Sequence, residues 1–488
     1  MLGRSNLLIN FGFNVIGAVL PIAIALVTVP IYISYIGPAR YGILSIVWLI
    51  LGYFGFLDFG LSRAATNALA KLSHESKDER AAVLMTSLYF NVVLSAFGGV
   101  IVYFGGRTLL PYLVTISDSM RGEVETALPW IACMLPLAMV AGVSRGAIQS
   151  RERFFDLNVL DLIGFTLGQF LPILFIVTIK PTLAVVIPAA FLARVLSVAL
   201  NLAWAARLEN INTAFVFDRS RFKQLFAFGV WVTVINIISP LLTSIDQLLV
   251  GSTLGAAAVT YYAVPMSLVN RSQILSHSLS AALFPRFSNL SSEPAMSLAK
   301  KAVLSLGYGF GAICGSAIII GRPFLALWLG ADFASQAALV LELLLIGAWF
   351  NGIAYIPNAL LQGQGRPDLV GKLHALEFIP YVAVLWFLLH RFGLVGAALA
   401  WSSRVVVDSA LLFVLSEIPF GHLLRLAPAL ALILISYFAA QAAEVSIPWS
   451  LLVASLVFLI FSGCAAVFDA TARKIMATLR ARLAESIG

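Results

Sequence analysis

Charged residues are scarce in this sequence. Only 11% of its 488 residues are Asp, Glu, Lys or Arg, whereas about a quarter of the residues of a soluble domain are charged. Hydrophobic residues make up 60% of the chain. A soluble fold could not bury that much apolar surface, so the composition excludes a water-soluble globular protein and predicts one embedded in a lipid bilayer.

Basic clusters and metal-binding patterns are absent as well. The formal net charge is +8, but the 31 basic residues lie in short gaps between apolar runs and form no basic patch. Nucleic acid is therefore excluded as a partner. The three cysteines, Cys133, Cys314 and Cys464, are far apart and lie inside apolar runs. We expect buried thiols, with no disulfide framework, no metal site and no cofactor.

Recognisable catalytic motifs are missing too. The sequence has no Walker loop, no HExxH pattern and no glycine-rich dinucleotide turn. The longest connection between apolar segments, from residue 207 to residue 222, has only about 16 residues. Such short connections could not hold a catalytic domain, so we expect no catalytic residues and no enzyme activity.

Long apolar runs are what the sequence has in abundance. About 20 mostly apolar residues span a bilayer as a helix, and cutting the chain at Gly, Pro and charge clusters gives fourteen such segments. The predicted fold class is therefore all-α, a polytopic membrane protein of about fourteen transmembrane helices. The segments are 8–36, 43–70, 84–106, 124–149, 158–179, 182–206, 224–250, 257–285, 299–321, 337–361, 369–389, 394–415, 426–442 and 448–468.

The positions of the basic residues predict the orientation in the membrane. If the N-terminus is cytoplasmic, twenty basic residues lie in cytoplasmic segments and six lie in outside segments. Lys and Arg favour cytoplasmic loops, so we expect both termini in the cytoplasm. The six residues predicted outside are Arg40, Arg107, Arg121, Lys180, Arg322 and Arg391.

An internal repeat divides the first twelve predicted helices into two sets of six. A shift of 218 residues gives ten identities over 42 positions, from Ser34 on Ser252 onward. Because six is even, both sets insert the same way up, so we predict two parallel six-helix repeats. The other matches used are Gly37 with Gly255 at a shift of 218, Gln149 and Arg153 with Gln362 and Arg366 at 213, and Arg194 with Arg404 at 210.

The repeat defines the predicted domains. Two helices follow the second repeat, and a basic amphipathic segment that would rest on anionic lipid follows them. The domains are an N-terminal six-helix lobe at 1–206, a cytoplasmic linker at 207–223, a C-terminal six-helix lobe at 224–415, two additional helices at 416–468 and a cytoplasmic tail at 469–488.

A polar stripe surrounds Arg271 in the eighth segment. Its neighbours include Asn270, Gln273 and His277, and no acid is near in sequence. A charge inside a membrane span costs at least about 2.5 kcal/mol, so this stripe should line water or substrate rather than face lipid. The alternative is that Arg271 pairs with a carboxylate of another helix, Asp58 or Asp246.

Four other arginines also fall inside predicted spans. Arg63 and Arg145 are further candidate cations of a substrate cavity, although Arg145 could instead extend to the membrane surface. Arg404 and Asp408 are four residues apart on one helix and are expected to neutralise each other. Arg194 occupies the matching place in the repeat, so we expect it to share a structural role.

Four carboxylates in the predicted spans are candidates for ion coupling or gating, since an intramembrane acid indicates function by default. One lies in the second segment, in the stretch 52–63 (GYFGFLDFGLSR), whose glycines could bend the helix. A packing role is the alternative for that residue. The four are Asp58, Asp246, Glu342 and Glu377.

Three short motifs carry a family resemblance. They are 30–42 (PIYISYIGPARYG), 57–62 (LDFGLS) and 361–367 (LQGQGRP). In these motifs and in the layout of its first twelve helices, the chain resembles the Wzx-type O-antigen flippases, which belong to the multidrug/oligosaccharidyl-lipid/polysaccharide transporter superfamily. The resemblance implies a V-shaped pair of six-helix lobes around a central cavity.

The resemblance also implies a function. A flippase of this type would move an undecaprenyl-diphosphate-linked oligosaccharide from the cytoplasmic to the periplasmic leaflet by alternating access, for O-antigen, capsule or exopolysaccharide biosynthesis. Its partners would be the lipid-linked oligosaccharide, membrane lipids, and the polymerase and other glycan-assembly proteins. Basic groups in the cavity would offset the charge of the diphosphate.

Other functions stay open. A drug/cation antiporter on the same fold would favour an acidic and aromatic cavity. A lipid II flippase is a second alternative, but the first helix lacks the arginine expected of that family. A membrane enzyme of glycan assembly would need catalytic groups on a sizeable periplasmic loop, and a passive scaffold would have no hydrated cavity.

The predicted orientation can be tested with reporter fusions. Fusions after Ser76 and Asp218 should report a cytoplasmic location, and fusions after Ser117 and Ala331 a periplasmic one, because the basic residues place these connections on opposite sides. The reversed set of signals would overturn the assignment.

Overall fold

The computed structural model consists of helices and short connections over the residues that it describes. These are residues 4–53, 65–66, 68–70, 72, 77–209, 242, 244–442, 446–469 and 473. Ten helices in this part of the chain are long and apolar enough to cross a membrane. The chain is therefore an all-α, multi-pass membrane protein, as its composition predicts.

The helices are α1 (Arg4–Tyr53), α2 (Lys77–Leu113), α3 (Asp118–Ser150), α4 (Phe154–Thr178), α5 (Leu183–Glu209), α6 (Ile245–Leu254), α7 (Ala256–Ser272), α8 (Ile274–Asn289), α9 (Ser292–Leu329), α10 (Ala331–Gly363), α11 (Pro367–Leu415), α12 (Phe420–Leu423), α13 (Ala427–Ala442) and α14 (Ile447–Phe468). A 3₁₀ turn, Leu424–Leu426, joins α12 to α13.

Two of the long helices are each broken once by a glycine. Gly37 in α1 has φ 78° and ψ 163°, and Gly393 in α11 has φ 59° and ψ −137°. Only glycine adopts such angles readily, because it has no Cβ. The first and second predicted segments meet at one break, and the eleventh and twelfth meet at the other. All fourteen predicted segments are helical where they are described, apart from their ends and a break at Gln273, whereas residues 54–64 and 210–240 lie outside the described part. The total of fourteen stays a prediction.

Tight turns occur at matching positions of the predicted repeat. Glu152 has φ 57° and Gly365, 213 residues later, has φ 78°. The backbone N–H of Glu152 donates to Gln149 O at 2.9 Å, and the N–H of Gly365 donates to Gln362 O at 3.1 Å. The two loops thus share both a left-handed residue and a hydrogen-bond pattern, which supports the register of the repeat.

A second matched pair of breaks agrees. Gly37 and Gly255 are 218 residues apart, and their φ angles are 78° and 88°. Gly255 stands between α6 and α7 as Gly37 stands between the two parts of α1. The parallel arrangement of the two halves remains a prediction.

The chain divides into two compact units, Met1–Thr260 and Tyr261–Gly488. The first contains α1 to α6 and the start of α7, and the second contains the remaining helices. The predicted linker at 207–223 falls outside the described residues from residue 210 onward. The predicted tail at 469–488 is described only at residues 469 and 473, so both assignments remain predictions.

Helices α2, α3 and α5 meet in a buried ion cluster at one end of the first unit. Arg80 and Glu209 have side chains only 1% and 0% exposed. Arg80 donates to both Glu209 oxygens at 2.6 and 2.7 Å, to Ser150 Oγ at 3.1 Å and to the Leu69 carbonyl oxygen. Arg151 donates to the same carboxylate at 2.9 and 3.1 Å, and this hydrogen bonding raises the pKa of its guanidinium. One carboxylate therefore holds the ends of three helices together.

A second ion pair joins the other ends of α3 and α5 to α1, near its break at Gly37. Arg40 donates to the Glu123 carboxylate at 2.6, 2.9 and 3.1 Å. The same carboxylate accepts the backbone N–H of Leu183 at 2.9 Å, at the start of α5. Helices α3 and α5 are thus held near both ends by charge-assisted hydrogen bonds, which are stronger than neutral ones.

In the second unit, α9 and α10 form the most buried pair of long helices. The additional helices α13 and α14 pack against α9. Phe461 of α14 lies over two glycines of α9, where an added Cβ would come within 2.8 Å of it at Gly311 and 2.9 Å at Gly315. Small residues at a membrane helix interface permit such close packing.

The outer surfaces of the helices are strongly apolar. Phe97 and Phe104 of α2 are 65% and 60% exposed, as expected of side chains that face lipid tails. The expectation that all three cysteines are buried is wrong for Cys133, which is exposed, whereas Cys314 is buried and Cys464 is half-buried. An apolar run in a membrane helix has a lipid-facing side as well as an inward side, so apolar neighbours in sequence do not imply burial.

The buried cluster at Glu209 should dominate the stability of the first unit. Glu209→Ala leaves the Arg80 guanidinium buried without a carboxylate, and breaking a buried pair in this way costs about 3–5 kcal/mol. We expect a lower melting temperature of the purified protein in detergent and less protein in the membrane.

The matched control is Glu125→Ala. The Glu125 side chain is 58% exposed and lies 3.9 Å from Arg121, and exposed ion pairs contribute only about 0–1 kcal/mol. Equal melting temperatures for the two variants would contradict the role assigned to Glu209.

Candidate functional site

A cavity of about 720 Å³ lies among α1, α3, α4 and α5 of the first unit. Its apolar lining includes Trp48 and Phe165, and three glycines widen it. We refer to it as the arginine cavity. Its charged and polar lining residues are Arg145, Asn158, Asp161, Gln169, Arg194, Ser197 and Asn201.

The charges of the arginine cavity are unbalanced. Arg145 of α3 forms an ion pair with Asp161 of α4, and their side chains are 47% and 32% exposed to the cavity. Arg194 of α5 lies close enough to interact electrostatically with both of them. The described lining therefore holds two arginines and one aspartate, a net charge of +1, in a region that the membrane surrounds.

Neutral polar groups complete the lining. Thr28 Oγ1 donates to Gln169 Oε1 at 3.0 Å and the Tyr32 hydroxyl donates to the Gln169 backbone carbonyl at 2.9 Å. These bonds fix the side-chain amide of Gln169 at the cavity wall. Asn201 is 3% exposed and donates to the Ser197 carbonyl at 2.9 Å, while its Oδ1 accepts no hydrogen bond within the described residues. Such fixed amides suit a ligand rich in hydroxyl groups.

The predicted cavity cations have different surroundings. Arg145 lines the arginine cavity. Arg63, like Asp58 of the same segment, lies outside the described residues. Arg271 is half-buried in the last turn of α7. Their roles in binding remain proposals.

The polar stripe around Arg271 does not share one environment. Gln273 stands at the break between α7 and α8, is 5% exposed, and accepts a hydrogen bond at 2.7 Å from Asn351 Nδ2 of α10. Asn270 and His277 are exposed, and the His277 ring lies edge-on to Tyr355 with centroids 6.0 Å apart. The break turns part of the stripe inward, which helical periodicity through an unbroken helix does not predict.

The described candidate carboxylates are all buried. Asp246 accepts the backbone N–H of Gln247 in the first turn of α6 at 2.8 Å. Glu342 of α10 accepts a hydrogen bond from Gln441 of α13. Glu377 of α11 lies 3.9 Å from Arg404. None of the three lines the arginine cavity, and their part in ion coupling stays a prediction.

One expectation about the arginines needs correction. Arg404 pairs with Glu377, while Asp408 lies 3.4 Å from His374, so the expected pairing of Arg404 with Asp408 along one helix is replaced by contacts across the Gly393 break. Arg194 has a different setting, because it lines the arginine cavity, and its expected structural role stays a prediction. The chain reversal at the break supplies the partners of Arg404 and Asp408, and spacing along one helix cannot show them.

The sequence reasoning missed Asp161, Asn158 and Gln169. All three lie on α4, and their spacings of three and eight residues place them on one face of a helix. That spacing was a usable signal. Each residue stands alone among apolar neighbours in the sequence, however. They are recognised as one polar surface only because the structure places Arg145 and Arg194 on the helices that face them.

Comparisons with known proteins agree with this architecture. Residues 7–291 match the model of the family described as "Polysaccharide biosynthesis protein". A protein of Shigella flexneri named "Putative O-antigen transporter" is 30% identical over 407 residues, which are 83% of this chain and 96% of that protein. An "Uncharacterized membrane protein in cps region" of Klebsiella pneumoniae is 24% identical over 75% of this chain and 72% of its own length.

Solved structures show the same fold. The lipid II flippase MurJ in its inward closed conformation superposes with a TM-score of 0.76 at 14% identity, over 94% of this chain and 98% of the other. A multidrug resistance MATE family transporter of the MOP superfamily gives a TM-score of 0.61 at 15% identity, over 84% and 98% of the two chains. With the match over residues 7–291 and the 30% identity to the Shigella flexneri protein, these results confirm the family resemblance of the three motifs: the chain belongs to the polysaccharide biosynthesis protein family.

Proposed function

We propose that this protein is a flippase that moves a polyprenyl-diphosphate-linked oligosaccharide, with undecaprenyl as the carrier lipid, from the cytoplasmic to the periplasmic leaflet of a bacterial inner membrane. The observation that carries the proposal is the arginine cavity, in which Arg145 and Arg194 outnumber Asp161. Three of the four proteins named above, the Shigella flexneri protein and the two solved structures, are described as transporters or flippases, which accords with the lack of catalytic motifs.

The charge of the cavity suits an anionic head group. A diphosphate must leave water to cross the membrane, and guanidinium groups replace that hydration with charge-assisted, bidentate hydrogen bonds. Arg145 is paired with Asp161. A diphosphate would compete for Arg145 and would find Arg194 within the same cavity. The Asp161 carboxylate thus compensates part of the charge of the arginines without removing the net positive charge of the cavity.

The polar walls suit the sugars. The amide groups of Gln169 and Asn201 and the side chains of Asn158 and Ser197 supply donors and acceptors for hydroxyl groups. Trp48 supplies an apolar face of the kind that packs against sugar rings. The polyprenyl tail would stay in the lipid while the head group and sugars cross.

The membrane potential favours the proposed direction. Moving a negative charge outward across a membrane whose inside is negative releases about 2.3 kcal/mol per charge per 100 mV. Alternating access of the cavity to the two sides would let this energy drive export. The product would then be available to a polymerase and to other glycan-assembly proteins on the periplasmic side.

A drug/cation antiporter is the rival on the same fold. A cavity for cations needs an excess of carboxylates, because a buried cation is stabilised by opposite charge. The described lining of the arginine cavity has the opposite excess. This charge balance favours an anionic cargo over a cationic drug.

Removing either cavity arginine should impair export. Arg194→Gln and Arg145→Gln each delete a charge-assisted hydrogen bond to phosphate, worth about 1.5–3 kcal/mol, so we expect a loss of at least about tenfold in cargo affinity. The measurement is the surface glycan restored to a strain that lacks the gene, together with the lipid-linked precursor that accumulates on the cytoplasmic side.

Lys372→Gln is the matched control. The Lys372 side chain is 75% exposed and pairs with Asp368 at 3.0 Å in the second unit, so export should remain at the wild-type level. Wild-type export by both cavity variants, at normal protein levels, would remove the reason for regarding this cavity as the anion site.

A further inference from the structure

The arginine cavity has a counterpart in the second unit, at positions that the internal repeat defines. The matched turns at Glu152 and Gly365 fix the register at the start of α4 and α11. Neither helix breaks over the next two dozen residues, so the shift of 213 holds along both. With the shift of 210 for the following helix, Arg194 corresponds to Arg404. Both units therefore carry an arginine at the same place in the repeat.

In the second unit this arginine is covered by its own chain. Glu377 is 8% exposed and its carboxylate lies 3.9 Å from Arg404, whose side chain is 12% exposed. The Tyr381 ring lies over the guanidinium, 5.1 Å from ring centroid to Cζ. An anion and a ring of the protein itself thus occupy the space around Arg404.

In the first unit the corresponding positions are glycines. Glu377 corresponds to Gly164 and Tyr381 corresponds to Gly168. At Gly168 an added Cβ would have no atom within 4 Å, which is open space, whereas at Gly164 an added Cβ would clash with the Ser197 hydroxyl. Both glycines line the arginine cavity. The first unit therefore has the arginine cavity at positions where the second unit has a carboxylate and an aromatic ring.

We propose that Gly168 creates the cargo site, and that a sugar ring of the cargo lies in the volume that corresponds to Tyr381, with the phosphate against Arg194 as the Glu377 carboxylate lies against Arg404. The side chains of the second unit act as an internal copy of the ligand. This inference rests on the proposed function and extends it, because it assigns anion binding to one repeat and names the residue that decides which.

The assignment follows from what each arginine already contacts. Arg404 has a carboxylate supplied by its own chain, and an incoming phosphate would have to displace a buried acid whose charge then has no partner. Arg194 has no carboxylate at the corresponding position, and Asp161 pairs with Arg145. The first unit thus offers a guanidinium together with an open volume at Gly168, whereas the second unit has the Tyr381 ring at the corresponding position.

The decisive variant is Gly168→Tyr, which places in the first unit the side chain that the second unit has. We expect surface glycan to fall at least tenfold at normal protein level. Gly309→Tyr is the matched control and should export normally, because Gly309 is an exposed residue of α9 in the second unit and an added Cβ there also meets no atom within 4 Å. If Gly168→Tyr lowers the protein level, Gly168→Leu fills part of the same volume and should give the same loss.

Binding of a defined probe separates this inference from the proposed function. Purified wild-type protein and Gly309→Tyr should be stabilised against heat by farnesyl diphosphate, and Gly168→Tyr and Arg194→Gln should need at least tenfold more of it. If Arg194→Gln loses the response while Gly168→Tyr binds and exports like the wild type, the glycine assignment is wrong and the proposed function stands. If a strain without the protein exports normal glycan, the proposed function fails, and the titration alone decides whether Gly168 makes the anion site.

Discussion

Compensation of buried charge is the constraint on which the polar structure of this protein depends. A charge away from water needs an opposite charge and hydrogen bonds close by. The Glu209 carboxylate pairs with two arginines at one end of the first unit, and the Glu123 carboxylate pairs with Arg40 at the other. These two clusters hold the helix ends that frame the arginine cavity. Inside that frame the compensation is incomplete, and the remaining positive charge is available to a ligand.

Glycines determine where two helices pack closely and where a cavity remains between them. Phe461 packs closely over Gly311 and Gly315 of α9, so there the missing side chain admits a neighbouring helix. At Gly168 no neighbour enters, and the same absence gives a cavity. The outcome depends on what faces the glycine, because a helix surface without a Cβ either lets another helix approach or leaves space for a ligand.

The predicted repeat accounts for the similarity of the two units. The matched turns at Glu152 and Gly365 and the corresponding arginines, Arg194 and Arg404, support a common arrangement of the two halves. In the second unit Glu377 lies against Arg404, and α13 and α14 add further packing onto α9. Arg404 is thus covered by its own chain, whereas Arg194 lines the arginine cavity.

The sequence by itself determined the membrane setting, the helical segments, the glycine breaks and the family, because apolar run length and local backbone preference are properties of consecutive residues. It also identified Arg145 as a candidate cation, since a charge in a span stands out against apolar neighbours. Tertiary structure alone decided that Arg404 pairs with Glu377, that Gln273 turns inward at a helix break and that Asp161, Arg145 and Arg194 share one cavity. Those partners come from different helices or from both sides of a break, and which helix faces meet depends on packing between segments far apart in the chain.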